Sequence, residues 1–161
     1  MIHEPTLVIV DLDGTLVNNS LKKVLPPEQY YTSEVLGSLR ANPEVLEIVK
    51  AYQALPTHVV VFLTGRSGEV REASKNCLRG YGLCVGDGAY FDRGDADHTD
   101  MAKVKEGHLH ALLSHYYPHN AVVLDDQSNV YDYLVRHAVD GRPRKIDFLR
   151  VKDNKEIQLC K

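Results

Sequence analysis

Tryptophan is absent from this chain, and cysteine and methionine are sparse, with three Cys and two Met among 161 residues. Cys77, Cys84 and Cys160 have no metal-ligand spacing and are odd in number. That pattern argues against a framework of paired disulfides or a zinc-finger-type site, and it suits a reducing compartment. No basic segment followed by an apolar core opens the chain, and no apolar run nears the about 20 residues that span a bilayer. From these missing signals the expected location is cytoplasmic, with no membrane partner. Positive charge is not in excess either. The formal charge of -3 offers no global attraction for a phosphate polymer, although a local basic surface could still bind one. The balance reverses only over residues 141–161, where seven Lys and Arg face three Asp and Glu. A solvated face or tail and a contact with a polyanion are the two readings of that segment.

What is present is enough for an ordinary folded domain. Hydrophobic residues make up 43% and charged residues 25%, and a chain of this length can bury a core without covalent staples. Residues 1–161 are expected to form a single domain. Thr6-Leu7-Val8-Ile9-Val10 is short, apolar and β-branched and stops at Asp11, as a strand buried on both faces does. Val59 to Leu63 stops at Thr64-Gly65-Arg66, and Ala121 to Leu124 stops at Asp125-Asp126. The segments between read as crossover helices. One is capped at Asn42-Pro43 and carries Val45, Leu46, Val49 and Leu55, one runs from Ser67 to Arg79, one carries Leu109, Leu112 and Leu113, and one runs from about Ser128 to His137. Leu83-Cys84-Val85 and Ile146 to Leu149 are weaker strand candidates. Residues 16–41 read as a loop with one or two short helical turns and residues 86–100 as an irregular loop, both too small to form a lid domain. The alternation predicts an α/β fold with a mostly parallel sheet, whose C-terminal strand edge gathers the polar residues.

Those strand ends carry the chemistry. Asp11 and Asp13 sit two residues apart before Gly14, and carboxylates so placed repel one another unless a cation such as Mg²⁺ lies beside them. A carboxylate is ionised at neutral pH, so Asp11 needs no base to act as a nucleophile. Asp13 would then protonate the leaving oxygen and later activate water. At the second strand end, the Thr64 hydroxyl and the backbone at Gly65 can bind a phosphoryl oxygen, or the segment can simply cap a helix. Arg66 can contact substrate phosphate or lie on the surface. At the third, Asp125 is suited to ligate Mg²⁺, with Asp126 as its support or as a helix cap. A cation for the transferring group comes from Lys103 or Lys105, between which periodicity does not choose.

Taken in order, these residues resemble the haloacid dehalogenase (HAD) superfamily of phosphohydrolases. Asp11, Asp13 and Thr15 match its Asp-x-Asp-x-Thr motif, Thr64 its strand-terminal Thr or Ser, and Asp125 and Asp126 its acidic fourth motif. The likeness covers roughly residues 6–138 and implies a three-layer α/β/α sandwich with a Rossmann-like sheet and no large cap domain. The capless branch that looks like polynucleotide kinase 3'-phosphatase domains opens a helix with the motif lysine, which favours Lys105. Arg71 to Leu78 resembles that branch's Arg-x-x-Thr-x-x-Trp-Leu run, with Ser74 and Cys77 in place of Thr and Trp. The resemblance implies a magnesium-dependent phosphomonoesterase working through an aspartyl-phosphate on Asp11. Asp11, the Asp13 carbonyl and Asp125 would hold Mg²⁺, Thr64 and Lys105 would bind phosphoryl oxygens, and Thr15 and Asp126 would support the site. The expected substrate is a nucleotide or a nucleic-acid 3'-phosphate. A small-metabolite phosphatase for sugar or lipid-precursor phosphates is the alternative, in which a homo-oligomer could complete the pocket. A non-catalytic phosphate-dependent binding protein is the third.

Overall fold

A computed structural model describes residues 5–95, 100–138 and 140–160. Six strands form one sheet: β1 (Thr6–Val10), β2 (His58–Leu63), β3 (Tyr90–Phe91), β4 (Asn120–Asp125), β5 (Lys145–Lys152) and β6 (Glu156–Cys160), in the order β3-β2-β1-β4-β5-β6. Every pairing is parallel except β5 with β6. The three apolar runs become the three central strands because each is covered on both faces. Val8 and Val10 face one core with Phe62, Leu124 and Val49, while Leu7 and Ile9 face another with Leu109, Leu113 and Leu134. Helices α1 (Pro27–Tyr30), α2 (Ser33–Ser38), α3 (Pro43–Gln53) and α4 (Arg71–Gly80) contribute to the first core, and α5 (Met101–Tyr116) and α6 (Asn129–Arg136) to the second. The fold is the expected three-layer sandwich. Because β1, β2 and β4 run parallel and in register, their C-terminal ends at Asp11, Thr64 and Asp125 emerge along one edge.

Several elements depart from the sequence reading for local reasons. Leu83 and Val85 are buried, but Leu83-Cys84-Val85 is not a strand. The Gln53 side-chain amide takes the place of a neighbouring strand, donating to the Cys84 carbonyl at 2.8 Å and accepting from its N–H at 3.1 Å. The edge strand is instead Tyr90–Phe91, inside the stretch expected to be irregular. The strand candidate Ile146 to Leu149 lies within β5, which pairs with β6 in a hairpin whose turn residues Asp153 and Asn154 have φ of 50° and 59°. Asp and Asn tolerate that left-handed conformation better than other non-glycine residues. Leu55, placed on an apolar helix face, is exposed, and in α6 Tyr133 is buried while Val135 is exposed. Asn42 precedes α3, but its side chain makes no cap bond and donates to the Thr15 carbonyl at 2.6 Å.

Residues 14–42 hold the short helical turns that the sequence suggests, and they are tied into the core. A 3-10 turn (Ser20–Lys23) and two short helices fold back so that Leu16, Val17, Tyr30, Leu36 and Leu39 join the core. The Asn154 side chain braces this segment from the hairpin turn, accepting from the Asn19 N–H at 3.2 Å and donating to its side-chain oxygen at 2.9 Å.

Beyond the sheet edge, Asp92 accepts from Arg71 Nε and Nη2, both at 2.8 Å, and from the Gly94 N–H at 2.9 Å. Burial works to raise its carboxyl, but these bonds and the Arg71 charge outweigh it and hold the group below its ordinary value of 3.8. A depressed carboxyl stabilises the fold above its unfolded value and loses that contribution as pH falls through the folded one. Urea unfolding should therefore show a Asp92-dependent loss of stability from about pH 4 downward. Asp92→Asn should flatten that acid limb and cost about 1–2 kcal/mol at neutral pH.

Candidate active site

Asp11 leaves the end of β1 at the floor of a cavity of about 210 Å³, which Asp13, Thr64, Lys105, Asp125 and Asp126 also line. Its N–H is held by the Leu124 carbonyl of β4 at 2.9 Å, so the backbone of one acid strand fixes the start of the other. Thr15 Oγ1 donates to Asp11 Oδ2 at 3.1 Å, and Lys105 Nζ donates to Asp11 Oδ1 at 3.1 Å. Both carboxylate oxygens are thus oriented. Lys105 also lies 3.9 Å from Asp125 Oδ2, whereas Lys103 faces a different cavity. Of the two lysines between which periodicity does not choose, Lys105 is the one that stands beside Asp11 and Asp125.

Asp125 and Asp126 approach Asp11 so closely that one carboxylate oxygen of each lies within 4.8 Å of the others. Asp126, read from sequence as support, stands in the cluster itself. Gly14 makes this approach feasible twice over. Its φ is +83°, and a Cβ there would lie 2.8 Å from Asp126 Oδ2. The Asp125 and Asp11 carboxyls are both raised above their ordinary value, first by burial and then by their acidic neighbours, with Lys105 opposing. Lys105 is itself raised, because Asp11 and Asp125 outweigh the effect of its burial. Three acids gathered around one lysine leave an excess of negative charge in a buried place, and their hard oxygen donors fit a cation of the Mg²⁺ type.

Asp13 lives in a different field. Arg66 grips it in a fork, Nε to Oδ2 at 2.9 Å and Nη2 to Oδ1 at 2.7 Å, and Tyr30 donates its hydroxyl to Oδ1 at 2.9 Å. Burial would raise the Asp13 carboxyl, but the Arg66 bonds and charge, the Tyr30 bond and the Lys22 charge hold it below the usual range. Arg66 is 3% exposed and its remaining arm donates to Ser74 Oγ at 2.9 Å. Of the two readings of Arg66 from the sequence, this burial excludes the surface one, and the fork that a substrate phosphate would need is held by Asp13. Thr64 Oγ1 accepts from the Arg66 N–H at 3.2 Å, which turns the chain at the strand end and leaves the hydroxyl hydrogen as a donor. Gly65 lines the same cavity.

Beside Ser74, which the motif run includes, three supporting residues escape a reading by motif. Tyr30 and Ser74 are buried beneath Asp13 and Arg66, and Lys22 and Tyr31 line the mouth of the cavity. Lys22 Nζ sits 5.7 and 5.3 Å from the Tyr30 and Tyr31 ring centres. Ser74 has a signal in the run Arg71-x-x-Ser74. For Lys22 and the tyrosines the only hint is the basic pair Lys22-Lys23 followed by Tyr30-Tyr31, and nothing in their spacing points back to Asp13.

The family model described as polynucleotide kinase PNKP phosphatase domain matches residues 5–139. The chain belongs to this family. It is a HAD-type phosphatase, and its clustered Asp11, Asp125 and Asp126 form the acidic metal-binding centre typical of such enzymes. Among curated proteins no match is found. Solved structures share the fold at low identity. One is a Pnkp1/Rnl/Hen1 RNA repair complex, 24% identical over 82% of this chain and 39% of that one, with a TM-score of 0.64. A second Pnkp1/Rnl/Hen1 complex is 22% identical over 91% and 46%, with a TM-score of 0.62. The chain thus spans less than half the length of either matched protein. The HAD domain of the effector protein Lem4 from Legionella pneumophila is 15% identical over 92% and 87%, with a TM-score of 0.57. None of the described helices is long and apolar enough to cross a membrane.

Proposed function

We propose that this PNKP-type phosphatase removes the 3'-phosphate from nucleic-acid or nucleotide ends through an aspartyl-phosphate on Asp11. The observation that carries the reading is the match of the PNKP phosphatase family across residues 5–139, which includes every strand end that lines the acidic cavity. The fold shared with proteins of an RNA repair complex is in keeping with it.

In the first step an Asp11 oxygen bonds to phosphorus, the bond from phosphorus to the leaving oxygen breaks, and that oxygen takes a proton from Asp13. In the second, Asp13 removes a proton from water, the water oxygen bonds to phosphorus, and the bond to Asp11 breaks. Phosphate and both acids are restored. Lys105 and Thr64 donate to the phosphoryl oxygens, and Lys105 keeps the attacking carboxylate aimed. Asp11, the Asp13 carbonyl and Asp125, with Asp126 alongside, would hold Mg²⁺. When bound, that ion supplies charge neutralisation for the acids and the phosphoryl group. The Arg66 fork adds a requirement. Asp13 is kept ionised in the free enzyme, so it gains its proton only after substrate arrives, when the phosphoryl charge raises its proton affinity.

Phosphate release should be measured with magnesium and with chelator, using matched 3'- and 5'-phosphorylated oligonucleotides, nucleotides and sugar phosphates. The expected result is magnesium-dependent turnover at least about tenfold faster in kcat/KM for the 3'-phosphate than for its 5' counterpart. Faster turnover of sugar phosphates would replace this reading with the small-metabolite one, and hydrolysis of none of the compounds would remove it.

A further inference from the structure

The hairpin of β5 and β6 reaches the acidic centre at two points. β5 lies beside β4 with Arg150 in register with Asp125, and Arg150 Nε donates to the Asp126 carbonyl at 3.3 Å. The second point is the turn. Asn154, held at a φ of 59°, bonds to Asn19, and Asn19 lines the catalytic cavity together with Asp11, Asp125 and Asp126.

The direction of each amide along this path is set by a group that cannot be reversed. The Asn19 backbone N–H can only donate, so the atom of Asn154 that meets it at 3.2 Å is the side-chain oxygen. The same oxygen receives the Asn42 side-chain amide at 3.4 Å, and Asn42 also donates to the Thr15 carbonyl. With its oxygen so engaged, Asn154 presents Nδ2 to the Asn19 side chain, which answers with Oδ1 at 2.9 Å. The Asn19 NH₂ group is thereby left over Gly14, on the side of Asp126. A Cβ on Gly14 would lie 3.0 Å from Asn19 Nδ2 and 2.8 Å from Asp126 Oδ2. Donor and acceptor converge on the volume that the glycine leaves free, close enough for a hydrogen bond made directly or through one water. Such outer partners matter to a metal site because they fix the direction of a carboxylate before the ion arrives. An Asp126 tied through its backbone to Arg150 and faced by the Asn19 amide has little freedom left to lose when a cation binds.

We infer that Asn154 and Asn19 are positioning residues for the acidic metal centre: the hairpin turn orients the Asn19 amide, the amide restrains Asp126, and the pair thereby sets the affinity for the divalent cation. This role depends on the metal centre of the HAD-type phosphatase and not on which phosphate ester is its substrate. Neither asparagine is charged, so removing either leaves the number of charges around the acids unchanged and isolates the effect of orientation.

Binding of Mn²⁺ to the full chain, read as loss of the free-ion signal in electron paramagnetic resonance, tests this without turnover, since Mn²⁺ takes the same oxygen ligands as Mg²⁺. Asn19→Ala should raise the Kd by about tenfold, as loss of an outer partner of a metal ligand does. Asn154→Gly should raise it by about as much, because glycine keeps the left-handed turn while removing the amide. If Asn154 acts through Asn19, the double variant also loses about tenfold and not about a hundredfold. Thermal melting in chelator identifies a variant that fails to fold, in which case the other single variant decides. A Kd within about threefold of the parent in either folded single variant, or losses that multiply in the double variant, overturns the inference. Absence of Mn²⁺ binding by the parent overturns it as well. If the predicted Kd values are found but 3'-phosphates are not hydrolysed, the proposed substrate falls and the role of the two asparagines stands.

Discussion

Asp11→Asn should lower kcat on the order of 10⁵-fold and, in chelator, raise the melting temperature by about 3 °C. The loss of activity follows from replacing the nucleophilic oxygen with an amide that cannot carry the phosphoryl group. The gain in stability has a separate origin. Asp11 is buried beside Asp125 and Asp126, and burial followed by acidic neighbours raises its carboxyl against the pull of Lys105. A neutral amide of the same shape removes that electrostatic cost and can keep the Thr15 bond through its oxygen. The Lys105 contact at 3.1 Å weakens, but Lys105 still has Asp125 at 3.9 Å. Relief of repulsion should therefore exceed loss of the ion pair. Phosphate release and thermal melting on the same preparation check both halves. A variant that melts lower than the parent in chelator would show that the Lys105 pair dominates the cluster, and retained turnover would remove Asp11 from the role of nucleophile.

Arg66→Ala should have the larger structural effect, destabilising the protein by about 3–5 kcal/mol because it leaves the Asp13 carboxylate buried beside an empty volume. It should also lower kcat by about 10²–10³-fold through loss of the orientation of Asp13. Lysine cannot reproduce a fork that reaches two Asp13 oxygens and Ser74 together, so Arg66→Lys should recover only a minor part of either. The leaving group reveals the route of the kinetic effect. If Arg66 acts through Asp13, its loss should harm an alkyl phosphate, whose leaving oxygen needs a proton, more than a nitrophenyl phosphate, whose leaving oxygen does not. Urea unfolding and the ratio of the two turnover numbers measure these effects independently. Equal loss on both substrates would show that Arg66 acts on the phosphoryl group itself.

Why the acids were readable in advance, and the arginine was not, follows from the range of the signals. Asp11, Thr64 and Asp125 each end a strand buried on both faces, and such strands announce themselves by uninterrupted apolar residues. Parallel register then brings their ends together with no further information needed. The direction of the Arg66 side chain depends on Ser74 in a following helix and on Tyr30 in an irregular segment, contacts that leave no periodic trace. Edge strands are hidden for a related reason. Tyr90–Phe91 has two residues, and Glu156–Cys160 is partly exposed, so neither accumulates the apolar run that marks the centre of the sheet. The Gln53 amide beside Cys84 shows the opposite failure, an apolar stretch satisfied by a side chain where a strand was expected.

The brace at Asn154 lies beyond the residues that the family model matches and still reaches the mouth of the site. The family likeness ends at residue 139, yet the turn of the later hairpin holds Asn19 by two hydrogen bonds, three residues from Lys22 and on the segment that carries Tyr30 and Tyr31. The acids and the strands that deliver them lie within the matched span. The footing of their entrance lies outside that span, in a hairpin turn that sets how firmly the mouth of the enzyme is held.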